Sequence, residues 1–340
     1  MKFDFVIGNP PYQEENKDNG RQGPVYNHFM DAAYQISDCV EMITPARFLF
    51  NAGQTPKAWN KERLEDEHFK VLEYSSDSSK VFPTTEIKGG VAITIRNTEK
   101  SYGKIRIFME YDELNSILHK IIPFCDTCIS DISIGAVPYK YTDILKKEHP
   151  EYVDLAGESF DLRTNALDKL GEKIFFQNKP VDSGDYIRIA GLYNRKREIM
   201  YVQHKYIDTP ENFTGYKVLI SKANGSGKFG EALSQMIIAD PKIGHTQSFI
   251  SVGNFKTKNE ACNLEKYIKT KFARCLLSVL RTTQDTTPYK WKYVPLQDFT
   301  SNSDINWTLP VSEIDKQLYR KYNLSGEEIA FIETNVKEMK

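Results

Sequence analysis

The sequence predicts an α/β layer with a largely parallel sheet near its N-terminus, followed by a second region of mixed α and β texture. Two observations carry this expectation. Strand-like and helix-like segments alternate over about the first hundred residues, the pattern of a sheet with helices packed on it. Beyond Cys128 the apolar runs shorten, turn residues become denser, and aromatics sit among Lys and Arg. A chain of 340 residues suits two domains with ample buried core. The boundary is expected between Ile121 and Pro150, which gives parts 1–125 and 126–340.

Each element has its own signal. Phe3 to Ile7 is a short, largely apolar strand, and a polar loop from Gln13 to Gly23 follows it. Val25, Phe29, Ala33 and Ile36 recur at helical spacing, and "CVEMIT" (Cys39 to Thr44) is the next strand, ending at Pro45. A polar helix around Lys57 to Glu67 leads into the strand "FKVLEYS" (Phe69 to Ser75), and "GVAITIR" ends a further strand at Arg96. "KIRIFM" (Lys104 to Met109) reads as a strand, and Asp112 to Ile121 as a helix with Asp112 as its N-cap.

In the second region, Asp185 to Ile207 is a hairpin with a basic turn at Arg195-Lys196-Arg197. One long helix is expected from Asn259 to Leu280, with Leu264, Ile268, Phe272, Cys275 and Val279 buried and Lys266, Lys269 and Arg274 exposed. "YKWKY" (Tyr289 to Tyr293) alternates aromatic and basic residues as a strand does. The C-terminus adds a helix near Ser312 to Tyr322 and another opened by Ser325-Gly-Glu-Glu328, a capping-box pattern.

Composition narrows the function classes. The 40% apolar and 27% charged fractions are those of an ordinary globular protein. No window has the length and apolarity of a membrane span, and the N-terminus lacks a signal-peptide pattern, so a cytoplasmic protein without a membrane partner is expected. The five cysteines, an odd number, read as reduced thiols. Cys125 and Cys128 have zinc-ligand spacing, but no second pair follows; they read as small core side chains, and no metal is expected. The net charge of −1 is unevenly spread: between Lys179 and Asp298 there are nineteen Lys and Arg against eleven Asp and Glu. A locally positive region is what phosphate contact requires.

The stretch that carries chemistry is "VIGNPPY", where the first strand runs into Gly8, Asn9, Pro10, Pro11 and Tyr12. Ligands bind at strand ends in open α/β sheets. The prolines fix the backbone and remove two donors, leaving rigid carbonyls at Asn9 and Pro10. An Asn side-chain oxygen and a rigid carbonyl together accept two hydrogen bonds from one amino group. Tyr12 adds a flat face for stacking on a base. The set fits the exocyclic amine of a heterocycle such as adenine. Two acceptors on its N–H bonds stabilise the positive charge that develops there when the nitrogen attacks an electrophile.

"NPPY" resembles the catalytic motif of adenine-N6 DNA methyltransferases, in particular the gamma-class enzymes of restriction–modification systems. "VEMITPARFLF" (Val40 to Phe50) and "KVFPTTEIKGGVAITIR" (Lys80 to Arg96) are similar to later blocks of that family, in the same order, and the C-terminal portion resembles its TaqI-like target-recognition domains. The resemblance implies an incomplete Rossmann-like methyltransferase sheet followed by an α+β target-recognition domain. It implies a double-stranded DNA substrate whose target adenine is swung out of the stack. Asn9 and the Pro10 carbonyl orient the amino nitrogen, Tyr12 and Phe82 sandwich the ring, and S-adenosylmethionine supplies the methyl group.

The family's cofactor site lies upstream of its motif. Here only Gly8 and Asn9 stand for it, so a separate polypeptide carrying the cofactor-binding half is an expected partner. "ANGSGKFGE" (Ala223 to Glu231) is the one glycine-rich candidate elsewhere, but Phe229 after Lys228 spoils a phosphate-loop reading, which leaves a flexible loop. DNA contact is expected from Arg195, Lys196, Arg197, Lys290 and Lys292. The alternatives are a non-catalytic DNA-binding specificity subunit, a truncated remnant, and a methyltransferase acting on RNA or protein glutamine.

Overall fold

The computed structural model describes residues 2–14, 23–85, 87, 89–281 and 283–339. Eight of the eleven residues of the Gln13–Gly23 loop, numbers 15–22, therefore lie outside the described residues. The chain forms two compact units, Met1–Asn115 and Ser116–Lys340.

The N-terminal unit is built from β1 (Val6–Gly8), α1 (Tyr26–Ile36), β2 (Cys39–Pro45), α2 (Lys57–Glu65), β3 (Phe69–Ser75), β4 (Val91–Asn97) and the start of α3 (Asp112–Ile121). Its sheet has the order β1-β2-β4-β3. The β1–β2 pairing is parallel, and β4 is antiparallel to both its neighbours, so β1, β2 and β3 share one direction and β4 opposes them. The expectation of a largely parallel sheet is therefore corrected to a mixed one. Its cause is the route from β3 to β4, which turns back within one loop, whereas a parallel neighbour needs a crossover. Alternation does the rest: Val40, Met42 and Thr44 of β2 are buried, and Tyr26, Met30 and Ala33 of α1 join Val40 and Met42 in one apolar cluster.

"KIRIFM" does not form a strand. Arg106 takes a left-handed conformation (φ 58°) and donates its N–H to the Leu64 carbonyl (2.8 Å), tying the segment to the end of α2. Phe108 is buried there, edge-on to Phe50 and Tyr74. Aromatic packing replaces a ladder.

The second unit contains β5 (Ser133–Ile134), β6 (Lys140–Tyr141), three short helices α4 (Asp143–Glu148), α5 (Val153–Ala156) and α6 (Ala166–Leu170), the hairpin β7 (Tyr186–Tyr193) and β8 (Lys196–Gln203), and β9 (Ile207–Asp208). Then follow β10 (Tyr216–Ser221), β11 (Ile237–Ala239), β12 (Ile243–His245), β13 (Phe249–Phe255), and helices α7 (Lys258–Lys269), α8 (Lys271–Leu280), α9 (Val311–Lys321) and α10 (Gly326–Asn335). Three sheets form, ordered β11-β10-β13-β5, β12-β7-β8 and β6-β9. Lys217 is wholly buried on β10 and donates to the Phe213 and Gly215 carbonyls (3.3 and 3.1 Å).

The single helix expected from Asn259 to Leu280 is two helices broken at Thr270, whose ψ of 148° is extended. The Thr270 hydroxyl donates to the Tyr267 carbonyl (2.6 Å) and accepts from the Ala273 N–H (3.1 Å), closing one helix and capping the next. The break rotates the second stripe, so Arg274 is buried rather than exposed, and its guanidinium reaches the Gly230 and Glu231 carbonyls. Lys266 is likewise engaged, with the Trp307 carbonyl (2.6 Å), and Lys269 pairs with Glu265 (3.1 Å). The "YKWKY" strand is a correction too. Pro288 opens a 3₁₀ turn over Pro288–Trp291 that sinks Trp291 into the core. The capping box at Ser325 is present, with Ser325 N–H on the Glu328 carboxylate at 2.6 Å.

Candidate active site and nucleic-acid interface

In the N-terminal unit, β1 and β2 lie side by side with Val6 opposite Val40 and Gly8 opposite Met42. Their C-terminal ends therefore open on the same edge of the sheet. Gly8 packs closely on β2: a Cβ there would fall 2.8 Å from the Met42 sulfur, which would have to shift. Asn9 follows exposed, Pro10 is buried, Pro11 is exposed and Tyr12 is half-buried. Downstream the segment is pinned: the Tyr12 carbonyl accepts from Val25 N–H (3.2 Å), the Glu14 N–H donates to the Gly23 carbonyl (3.1 Å), and Gln13 bridges to Pro24. Asn9 thus leaves a fixed backbone with its side chain in solvent. Among the described residues neither its amide nor the Pro10 carbonyl has a hydrogen-bond partner.

Phe82 is brought to the same place. Its ring lies 6.4 Å from that of Tyr12, centroid to centroid, at 72°, an edge-to-face contact. The loop that carries it is built on Ser78, a buried hydroxyl that donates to the Thr85 carbonyl (3.1 Å) and accepts from Ile87 N–H (2.8 Å). Asp77 caps the turn through both the N–H and hydroxyl of Ser79, contacts that hold its carboxyl below the usual range. Sequence reasoning missed Ser78; the Asp-Ser-Ser run ahead of Phe82 is the signal that marks such a turn.

The Tyr12 hydroxyl is buried and has no partner among the described residues, and burial raises its pKa. A buried unsatisfied hydroxyl is costly. With the Asn9 amide and the Pro10 carbonyl, the edge offers acceptors and two aromatic rings. Such a set can orient a flat heterocycle bearing an amino group.

In the second unit, the hairpin turn consists of Asn194 and Arg195, both at positive φ (51° and 62°), with Lys196 and Arg197 opening the return strand. Arg195 and Lys196 are exposed. Arg197 is exposed as well, and its guanidinium bonds the Ser221 hydroxyl (2.7 Å) and the Gln235 carbonyl and lies over the Phe249 ring. Lys290 is half-buried and donates to the Leu280 carbonyl (2.6 Å), whereas Lys292 is exposed beside Tyr293.

The glycine-rich segment Ala223 to Glu231 is a fastened loop rather than a loose one. The Glu231 carboxylate accepts from Ser226 N–H (3.0 Å), the Ser226 hydroxyl (2.7 Å) and Gly227 N–H (3.0 Å), and pairs with the buried Arg281 (3.5 Å). These donors pull its pKa down to about 2, with the Ser226 hydroxyl the largest cause. The nest that would cradle a phosphate is filled by the chain's own carboxylate. In the N-terminal unit no glycine-rich turn follows a strand among the described residues.

The family described as Eco57I restriction-modification methylase matches residues 1–82. An uncharacterized adenine-specific methylase of Mycoplasma pneumoniae is 31% identical over 99 residues, 28% of this chain and 24% of that protein. Among solved structures, the type IIG restriction endonuclease BpuSI aligns at 10% identity and a TM-score of 0.35, over 97% of this chain and 52% of its own. The type IIL restriction-modification enzyme MmeI, solved in complex with DNA, aligns at 9% identity and a TM-score of 0.34, over 98% of this chain and 56% of its own. The chain thus spans about a quarter of the length of the curated relative and about half of the solved ones. No helix among the described residues is long and apolar enough to cross a membrane. Over residues 1–82, which contain Asn9, Tyr12 and Phe82, this chain is similar to restriction–modification methylases.

Proposed function

We propose that the protein is the adenine-binding and DNA-recognising part of a site-specific adenine-N6 DNA methyltransferase of a restriction–modification system. The observation that carries this is the meeting of Tyr12 and Phe82 at 6.4 Å, from loops far apart in sequence, beside the exposed Asn9 amide. The extruded adenine enters between the two rings, which part to take it. The Asn9 side-chain oxygen and the Pro10 carbonyl accept from its amino group and hold the nitrogen as it acquires positive charge. Arg195, Lys196 and Lys292 contact DNA from the second unit.

S-adenosylmethionine is the methyl donor that this chemistry needs. The described residues fit the adenine side of the reaction and not the cofactor side, so no step is routed through it. The free edge of β1 supports a partner there: Phe3 is 50%, Phe5 45% and Ile7 73% exposed, and β1 pairs only with β2 among the described strands. An open apolar edge of this kind calls for a covering element. We assign it to a cofactor-binding segment, on a separate polypeptide or on the same protein, that completes a Rossmann-like sheet.

The test is methyl transfer from tritiated S-adenosylmethionine to adenine-unmethylated genomic DNA by this chain together with the cofactor-binding segment assigned to the β1 edge, with digestion to nucleosides. N6-methyladenine that disappears in Asn9→Ala supports the reading. Label in cytosine, or label unaffected by Asn9→Ala, refutes it. Calorimetric titration of S-adenosylmethionine into the chain alone tests the need for a partner: saturable one-to-one binding overturns that part.

A further inference from the structure

Arg47 follows β2 at the same sheet edge where Asn9 follows β1, because the two strands are parallel and in register. Its side chain is exposed and no carboxylate pairs with it among the described residues. Yet the stem is held. A Cβ at Gly89 would fall 2.5 Å from Arg47 Cγ, and one at Gly53 would lie 3.3 Å from its Cβ; both glycines take positive φ (87° and 86°). The two backbones form a cradle that only glycines leave open.

The cradle belongs to the candidate site. Gly89 lies on the same loop as Phe82, and its neighbour Gly90 accepts the Ala46 N–H (3.0 Å). On the other side Arg47 is close enough to Tyr26 for its charge to oppose the rise in that phenol's pKa, and Tyr26 follows Val25, which bonds the Tyr12 carbonyl. A guanidinium whose stem is held and that has no carboxylate partner among the described residues is a fork for an anion with two adjacent oxygens. Beside two rings that would take an extruded base, the anion at hand is the phosphodiester of the same strand.

We propose that Arg47 grips a phosphate of the strand carrying the target adenine and so sets where the base enters. This inference rests on the methyltransferase reading. The test uses fluorescence anisotropy of a labelled single-stranded, adenine-containing oligonucleotide over a series of NaCl concentrations. Arg47→Ala is expected to bind about tenfold more weakly and to flatten the slope of log K against log salt by about 0.7, the loss of one phosphate contact. Arg47→Lys keeps the slope with reduced affinity. An unchanged slope in Arg47→Ala overturns the inference, and Asn9-dependent methylation by the chain completed with its cofactor-binding segment leaves the broader reading standing. Absence of any oligonucleotide binding by the wild type removes both. If Arg47→Ala instead loses S-adenosylmethionine binding by that completed enzyme while its salt slope holds, the arginine serves a cofactor carboxylate and the inference fails.

Discussion

Replacing Tyr12 by Phe removes one oxygen from the candidate site and leaves the ring. That oxygen is buried and unpartnered among the described residues. Burying a hydroxyl without a compensating hydrogen bond costs about 1–3 kcal/mol. The small gap left by the oxygen returns part of this, so Tyr12→Phe is expected to stabilise the N-terminal unit by about 1 kcal/mol. Hydrogen exchange of the β2 and β4 peptides reads this unit within the full chain, and about 1 kcal/mol slows exchange about fivefold. Tyr12→Ala separates ring from oxygen. It forfeits the edge contact with Phe82 along with the buried ring, and exchange is expected to accelerate more than tenfold. Faster exchange in Tyr12→Phe would refute the reasoning, since the hydroxyl would then have a partner in the folded protein. Methylation should survive in Phe and fail in Ala, because stacking needs the ring.

Three further outcomes follow from the second unit. Burial lowers the Lys217 pKa from 10.5 to about 8, so the folded state binds fewer protons than the unfolded one between pH 8 and 10.5, and this lysine makes stability rise across that window. The buried ammonium costs about 3 kcal/mol at pH 7; Lys217→Met should remove the rise and gain about 1–2 kcal/mol, the two orphaned carbonyls offsetting the rest, as urea melts at pH 7 and 10 will show. Glu231→Gln leaves the buried Arg281 without its carboxylate and should destabilise the unit by about 2–4 kcal/mol, read as a lower urea midpoint; an unchanged midpoint would mean that the loop does not depend on this carboxylate. Thr270→Val removes the hydroxyl shared by two helix ends and should cost about 1–2 kcal/mol by the same assay.

The fold was legible where local chemistry decides. Strands at Cys39–Pro45 and Phe69–Ser75, the 194–195 hairpin and the Ser325 box follow from periodicity, turn residues and caps, all of which act within a few residues. The rigid backbone of the "NPPY" segment also follows from local chemistry, since prolines fix φ wherever they occur. Tertiary packing decided the rest. Strand direction in the N-terminal sheet is a long-range choice, and periodicity is the same for either direction. "KIRIFM" and "YKWKY" have strand-like patterns, but each takes the form that buries its aromatic, Phe108 or Trp291.

At the site, the resemblance paired Tyr12 with Phe82 beside Asn9, and in the fold the two rings lie 6.4 Å apart. Sequence could not show that Arg197 and Lys290 donate to backbone and side-chain acceptors, or that Glu231 fills its own glycine-rich nest. A cation's availability depends on the oxygens that surround it after folding. The residue types were fixed by the sequence alone; which of them remain free to meet a ligand was decided only in three dimensions.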